Sequence, residues 1–143
     1  MLLVILFILR AVGLEEIERH IEVLESLIAD GAEELQEELE KYYTLIRLRE
    51  EEGELEFVEE IELAYDESLY SRLFSKAIVN ILRVISNEQV NSISELARIL
   101  KRDTANVYRD LKWLEDLGIV TLKRSGRRLV IKTNVLEYGL RFY

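Results

Sequence analysis

The chain has 143 residues and a mass of 16.8 kDa, is 49% apolar and 33% charged, carries a net charge of −9 and has a mean hydropathy of zero. This is a soluble, core-forming composition sized for one or two small domains, and it excludes a disordered or fibrous chain. The absence of cysteine excludes disulfide scaffolds, thiol catalysis and Cys-ligated metal sites, and His20, the single histidine, cannot build a multi-histidine metal site within one subunit or readily serve a Ser-His-Asp triad.

Residues 1–9, MLLVILFIL, are wholly apolar and precede Arg10. They fall far short of the roughly 20 residues a helix needs to span a bilayer. They also lack the leading positive charge and the small-residue cleavage site of a signal peptide. No membrane association is expected, and the expected location is the cytoplasm. The segment 1–12 reads as a buried strand or a first helix, covered by its own domain or by a second subunit, because a run this apolar is an aggregation site if left bare.

From Leu14 the spacing turns helical. Leu14, Ile17, Ile21, Leu24 and Ile28 step by three and four, as in a coiled coil. Asp30-Gly31 marks a break, since glycine fits the left-handed residue after a helix end. Ala32, Leu35, Leu39, Tyr42 and Ile46 continue in a second run that ends near Glu50–Glu52 and Gly53. An antiparallel helical hairpin is the simplest structure; one long helix kinked at Gly31 is the alternative. Two heptads are too few for a true coiled coil, and two ordinary amphipathic helices fit equally well. Tyr42-Tyr43 reads as core or interface. Residues 54–65, ELEFVEEIELAY, fit both periods: Leu55/Phe57 and Ile61/Leu63/Tyr65 alternate like strands with a phase slip between them, whereas Leu55, Val58 and Ile61 fit a helix. Strand or irregular structure is the expectation.

Charge divides the chain unevenly. Residues 1–67 hold 21 acidic and 5 basic side chains, and residues 68–143 hold 7 acidic and 14 basic, giving nets of −16 and +7. The sign changes at Asp66-Glu67, which places a boundary there. Residues 1–66 form an acidic, largely helical region for dimerisation or partner contact, and residues 67–143 form a second domain suited to a polyanionic partner. No Gly/Ser-rich linker separates them, so the halves are expected to be packed together.

The second domain reads as helix, helix, turn, helix, hairpin. A helix is predicted over about Ser68–Ile85, with Leu69, Leu73, Phe74, Ala77, Ile78, Ile81, Leu82 and Ile85 inward. Val90–Ile93 is a short extended link. Ser92 and Glu95 form a capping box, with Ser94 as a competing cap, for a helix over about 95–100. Lys101-Arg102 is a tight turn, and Asp103 or Thr104 caps a third helix that keeps Val107, Leu111, Leu114 and Leu117 on one face. Gly118 ends it. Strands at 119–123 and 129–133 flank a hairpin with Ser125-Gly126 at its tip.

This segment, roughly residues 70–133, resembles the winged helix-turn-helix of archaeal transcription regulators of the ArsR/MarR-like group. The resemblance lies in Ser94-Glu95-Leu96-Ala97-Arg98-Ile99-Leu100, Lys101-Arg102-Asp103, Val107-Tyr108-Arg109-Asp110-Leu111 and Leu114-Glu115-Asp116-Leu117-Gly118-Ile119-Val120. Ala97 is small where two helices would cross, and Val107 plugs the core between them. The family's usual turn glycine is replaced by Lys101, at a cost of about 1 kcal/mol if the residue is left-handed. The implied fold is mainly α with a small β wing, preceded by the acidic helical region. The few Asn and Gln, the single Met and the abundant Glu and Arg also give a thermophile-like composition.

In such a module the third helix, about 104–117, enters the major groove of double-stranded DNA. Thr104, Ala105, Tyr108, Arg109 and Lys112 point away from the core. Arg109 suits a bidentate contact to guanine. Thr104, Asn106 and Tyr108 suit base edges or phosphates, and Lys112 suits phosphate, although it can equally pair with Glu115 or Asp116. Lys123, Arg124, Arg127 and Arg128 of the wing (123–128) suit the backbone or minor groove. Arg98, Lys101 and Arg102 add charge at the turn. Trp113 reads as the edge of the core or a subunit contact.

The implied function is sequence-specific regulation of transcription as a homodimer, its two-fold symmetry mirrored in the operator. Alternatives are a winged helix used for protein contact in a transcription or chromosome-organising complex, and the DNA-binding antitoxin of a toxin–antitoxin pair. In these the acidic N-terminal half would bind a basic protein. No nucleophile–base pair and no phosphate-cradling glycine loop is legible, so no enzyme and no cofactor is expected. No metal is expected either, His20 among Glu16, Glu18 and Glu22 being a poorly organised ligand set.

Overall fold

A computed structural model of the chain describes residues 2–53 and 57–143. Two compact units divide it, one of residues 1–10 with 60–143 and one of residues 11–59. This differs from a single cut after residue 66: most of the apolar N-terminal segment, and the end of the 54–65 segment, join the C-terminal unit.

In the unit of residues 11–59, helix α1 (Leu14–Ala29) follows Gly13 and stops at Asp30, where Gly31 adopts φ 110°. A single 3-10 turn over Glu33–Leu35 leads into α2 (Gln36–Glu52), which ends at Gly53 with φ 88°. Ile17, Leu24 and Leu39 are buried, as the three-four spacing requires. The helices form the expected hairpin. His20 Nδ1 lies 3.2 Å from the Tyr42 hydroxyl, and the Tyr43 hydroxyl donates to Glu25. His20 is thus engaged by an aromatic ring and its hydroxyl. Tyr43 stays exposed, so of its two readings, core or interface, the core one does not hold.

Strand β1 (Val4–Val12) settles the first segment as a strand. It lies at the centre of a three-stranded sheet, between β2 (Phe57–Ala64) and β5 (Val135–Phe142), in the order β2-β1-β5. β1 and β5 are antiparallel, with Val4 opposite Phe142, Phe7 opposite Gly139 and Leu9 opposite Glu137. A bulge then brings Arg10 opposite Val135. Leu6 and Ile8 lie in the hydrophobic core, joined by Tyr138 and Leu140 of β5 and Ile61 and Leu63 of β2. The opposite face is not bare. The Arg141 guanidinium sits 4.3 Å over the Phe7 ring and pairs with Glu60 at 2.7 Å and Glu62 at 3.5 Å. An apolar β1 without alternation follows, because both of its faces are covered. In β2 the odd positions 57, 59, 61 and 63 share one face, with no phase slip; Tyr65 lies beyond the end of the strand and is exposed. Residues 54–56 of the ambiguous segment lie outside the described residues.

The helix expected over 68–85 is two helices. α3 (Glu67–Leu73) is capped by Asp66, and α4 (Lys76–Asn87) starts at Ser75, whose hydroxyl accepts the Ile78 N–H. The break turns Phe74 outward, a second correction; its ring stacks on Tyr70 and meets Tyr138 edge-on instead. α5 (Ile93–Leu100) and α6 (Thr104–Asp116) follow, then the antiparallel hairpin of β3 (Val120–Ser125) and β4 (Arg128–Thr133). Leu73, Ile78, Ile81, Leu96, Val107, Leu111, Leu114 and Ile131 close one core with the inner face of β1. The architecture is therefore mixed α/β, with six α-helices and two small sheets among the described residues. The sequence predicts a mainly α fold with a small β wing and leaves residues 1–12 and 54–65 open between strand and other structure. Among those residues no helix is long and apolar enough to cross a membrane.

Candidate nucleic-acid interface

The two helices that bear the predicted site begin on side-chain caps. Ser92 Oγ accepts the Glu95 N–H at 3.0 Å, and the Glu95 carboxylate accepts the Asn91 N–H at 3.2 Å. The helix is thus capped as the Ser-x-x-Glu spacing implies, by Ser92 rather than Ser94, while Glu95 reaches back one residue further, to Asn91, than a reciprocal capping box would place it. Asp103 Oδ2 accepts the Asn106 N–H at 3.1 Å and caps α6. Between them, Lys101 is left-handed at φ 55°, ψ 46°, which lets the Arg102 N–H reach back to the Ala97 carbonyl at 2.9 Å. α6 ends in the same manner: Gly118 at φ 77° allows the Ile119 N–H to reach the Leu114 carbonyl at 3.0 Å. Arg10 of β1 donates to the Gly118 carbonyl at 3.1 Å and fixes this corner.

α6 is anchored by Val107, Leu111 and Leu114, each at 0% exposure. With that face committed to the core, Thr104, Ala105, Asn106, Tyr108 and Arg109 are left exposed along its first turns. The Arg109 Nε donates at 3.4 Å to the Ala105 carbonyl one turn back, so its guanidinium lies along the helix surface. The hairpin closes through Gly126 and Arg127, one residue later than expected, with Ser125 paired to Arg128 and Gly126 at φ 65°, the positive dihedral a tight hairpin turn places at its first position. Lys123, Arg124, Arg127 and Arg128 are all exposed.

The cations fall into two sets. Arg102 donates to Asp110 at 2.8 Å and its side chain is only 28% exposed; Arg72 reaches the other oxygen of Asp110 at 3.4 Å while lying 4.2 Å over the Trp113 ring. Lys112 pairs with Glu115 at 2.7 Å, and that carboxylate pushes the ammonium pKa above its ordinary value. Arg102 and Lys112 are thus engaged within the fold. Among the described residues, Arg98, Lys101, Arg109, Lys123, Arg124, Arg127 and Arg128 are exposed and take part in no ion pair. Trp113 lies against the edge of the core, and Asp110 and Arg72 are structural partners that spacing alone does not single out. Among the described residues no group of three or more His, Cys, Asp or Glu side chains is arranged to hold a metal ion.

The family described as HVO_A0114 matches residues 73–137. The chain resembles that family from the end of α3 to the early part of β5, a span that holds α4, α5, α6 and the hairpin. Among curated proteins, none matches the chain.

Proposed function

We propose that residues 70–133 are a winged helix-turn-helix and that the chain is a homodimeric, sequence-specific DNA-binding regulator of transcription. In this reading α6 lies in the major groove, with Arg109 addressing guanine and Thr104, Asn106 and Tyr108 addressing base edges or phosphates. The hairpin cations meet the backbone or minor groove. Arg98 and Lys101 add phosphate contacts at the turn, whereas Arg102 is held by Asp110 and Lys112 is paired with Glu115 on its own helix.

The observation that supports it most is the split on α6 and the hairpin. The helix buries Val107, Leu111 and Leu114 completely, yet its opposite face and the hairpin carry cations that, among the described residues, have no ion-pair partners. A surface kept basic in a chain of net charge −9 suits a polyanion.

Changing Arg109, Arg124, Arg127 and Arg128 together to Ala tests this. All four are exposed, so the fold is retained. The reading expects DNA affinity at near-physiological salt to fall at least about 100-fold, and the salt slope to flatten by about one for each phosphate no longer neutralised. Unchanged binding by the quadruple variant would contradict it. Absence of DNA binding by the parent protein would turn the reading to a basic protein partner for the acidic hairpin.

A further inference from the structure

The sheet β2-β1-β5 leaves two outer edges, and they differ. β2 carries Glu59, Glu60 and Glu62, the last two sharing the single guanidinium of Arg141, so the strand keeps a net negative charge and a second copy brought alongside it meets like charges. β5, VLEYGLRF, has neither lysine nor proline, the residues that ordinarily blunt an edge. Leu3 and Tyr143 exchange both backbone hydrogen bonds, at 2.8 and 3.1 Å, which fixes the phase of the strand. In that phase Glu137, Gly139 and Arg141 turn their backbone groups toward β1, and Tyr138, Leu140 and Phe142 turn theirs toward the free edge.

We infer that β5 is the dimerisation edge, pairing antiparallel with β5 of a second copy across a two-fold axis at Gly139. The inference rests on the homodimer in the proposed function and names the surface that makes it. The occupant follows from the sequence of the strand, which is complementary to itself about that point. In this register Glu137 of each copy stands opposite Arg141 of the other, whose guanidinium also holds Glu60 and Glu62 of its own chain, giving two opposite-charge pairs on one face. Tyr138 and Leu140 of opposite copies exchange backbone hydrogen bonds through the groups already aimed outward. Leu136 and Phe142, exposed at 55% and 59%, come opposite each other and lose that exposure. Gly139, which has Phe7 on the β1 side where a Cβ would stand, lies at the axis. The result is a continuous sheet β2-β1-β5-β5-β1-β2 whose outer edges are the glutamate-bearing strands.

Sedimentation velocity of the intact chain without DNA, across a concentration series, tests this. The parent protein is expected to dimerise. Glu137→Arg places two arginines opposite each other twice, and Arg141→Glu does the same with glutamates; each should weaken the dimer about ten- to thirty-fold. An equimolar mixture of the two restores both attractive pairs and should recover the dimer as a heterodimer. Leu136→Glu, at an exposed position that leaves the monomer fold intact, should also weaken association and decides the matter if either charge variant fails to fold. A monomeric parent protein would overturn the inference, as would a dimer that tolerates Glu137→Arg, or Leu136→Glu where the charge variants fail to fold. DNA binding by a dimer insensitive to these changes leaves the DNA reading standing without this interface. A β5-dependent dimer that ignores DNA does the reverse.

Discussion

Lys101 is the residue at which local chemistry and tertiary need conflict. A left-handed conformation costs an L side chain about 1 kcal/mol, yet φ 55° is required for the Arg102 N–H to close back on Ala97 and end α5. Lys101→Gly should therefore raise stability by up to about 1 kcal/mol, less what the freer unfolded chain takes back. Lys101→Val, with a β-branched side chain in the same dihedral, should lower it by more. Urea unfolding of the two variants checks both signs. The sequence marked this position through the missing glycine of the resembling family, and likewise Gly118, Ser92 and Asp103, because caps and left-handed ends depend on neighbours within six residues. It did not mark Arg102 as a structural residue. A lone arginine at a turn reads as a free cation; only the fold reveals that Asp110, eight positions on, faces it at 2.8 Å.

Among the elements, Asp110 joins three: α6, the turn through Arg102, and α3 through Arg72. Asp110→Ala would leave Arg102, already with Nη1 buried and unpartnered, without its carboxylate. The expected loss is about 1–3 kcal/mol by thermal or urea unfolding. Arg102→Ala should lower stability while leaving the salt slope of DNA binding unchanged. A slope reduced by about one would instead make Arg102 a phosphate contact. The elements legible in sequence were those with strong local signals: α1, α2, α5, α6 and the hairpin strands. The division of α3 from α4 was not. Phe74 and Ala77 bridge the five-residue step from Leu73 to Ile78, so the apolar spacing reads as one continuous helix, and the cap at Ser75 carries no accompanying Gly or Pro. β5 was missed because its strand partner, β1, lies at the other end of the sequence. β1 itself stayed ambiguous because both its faces are covered, one by the core and one by Arg141 over Phe7.

For the whole molecule, the charge asymmetry was legible from composition alone, but the way the chain divides was not. The sign change at residues 66–67 lies at the start of α3, whereas the compact units part near residues 10 and 59, because β1 belongs to a sheet completed by β5. A chain of net charge −9 that retains, among the described residues, eight exposed cations without ion-pair partners on α5, α6, their turn and the hairpin (Lys132 of β4 included) is, in the proposed reading, a reader of duplex DNA. The most direct measurement is selection of bound duplexes from a random library by the purified protein, at low and near-physiological salt, followed by sequencing. Enrichment of an inverted repeat with half-sites about one helical turn apart, persisting at the higher salt, is the predicted result. Failure to retain any duplex at either salt would contradict it.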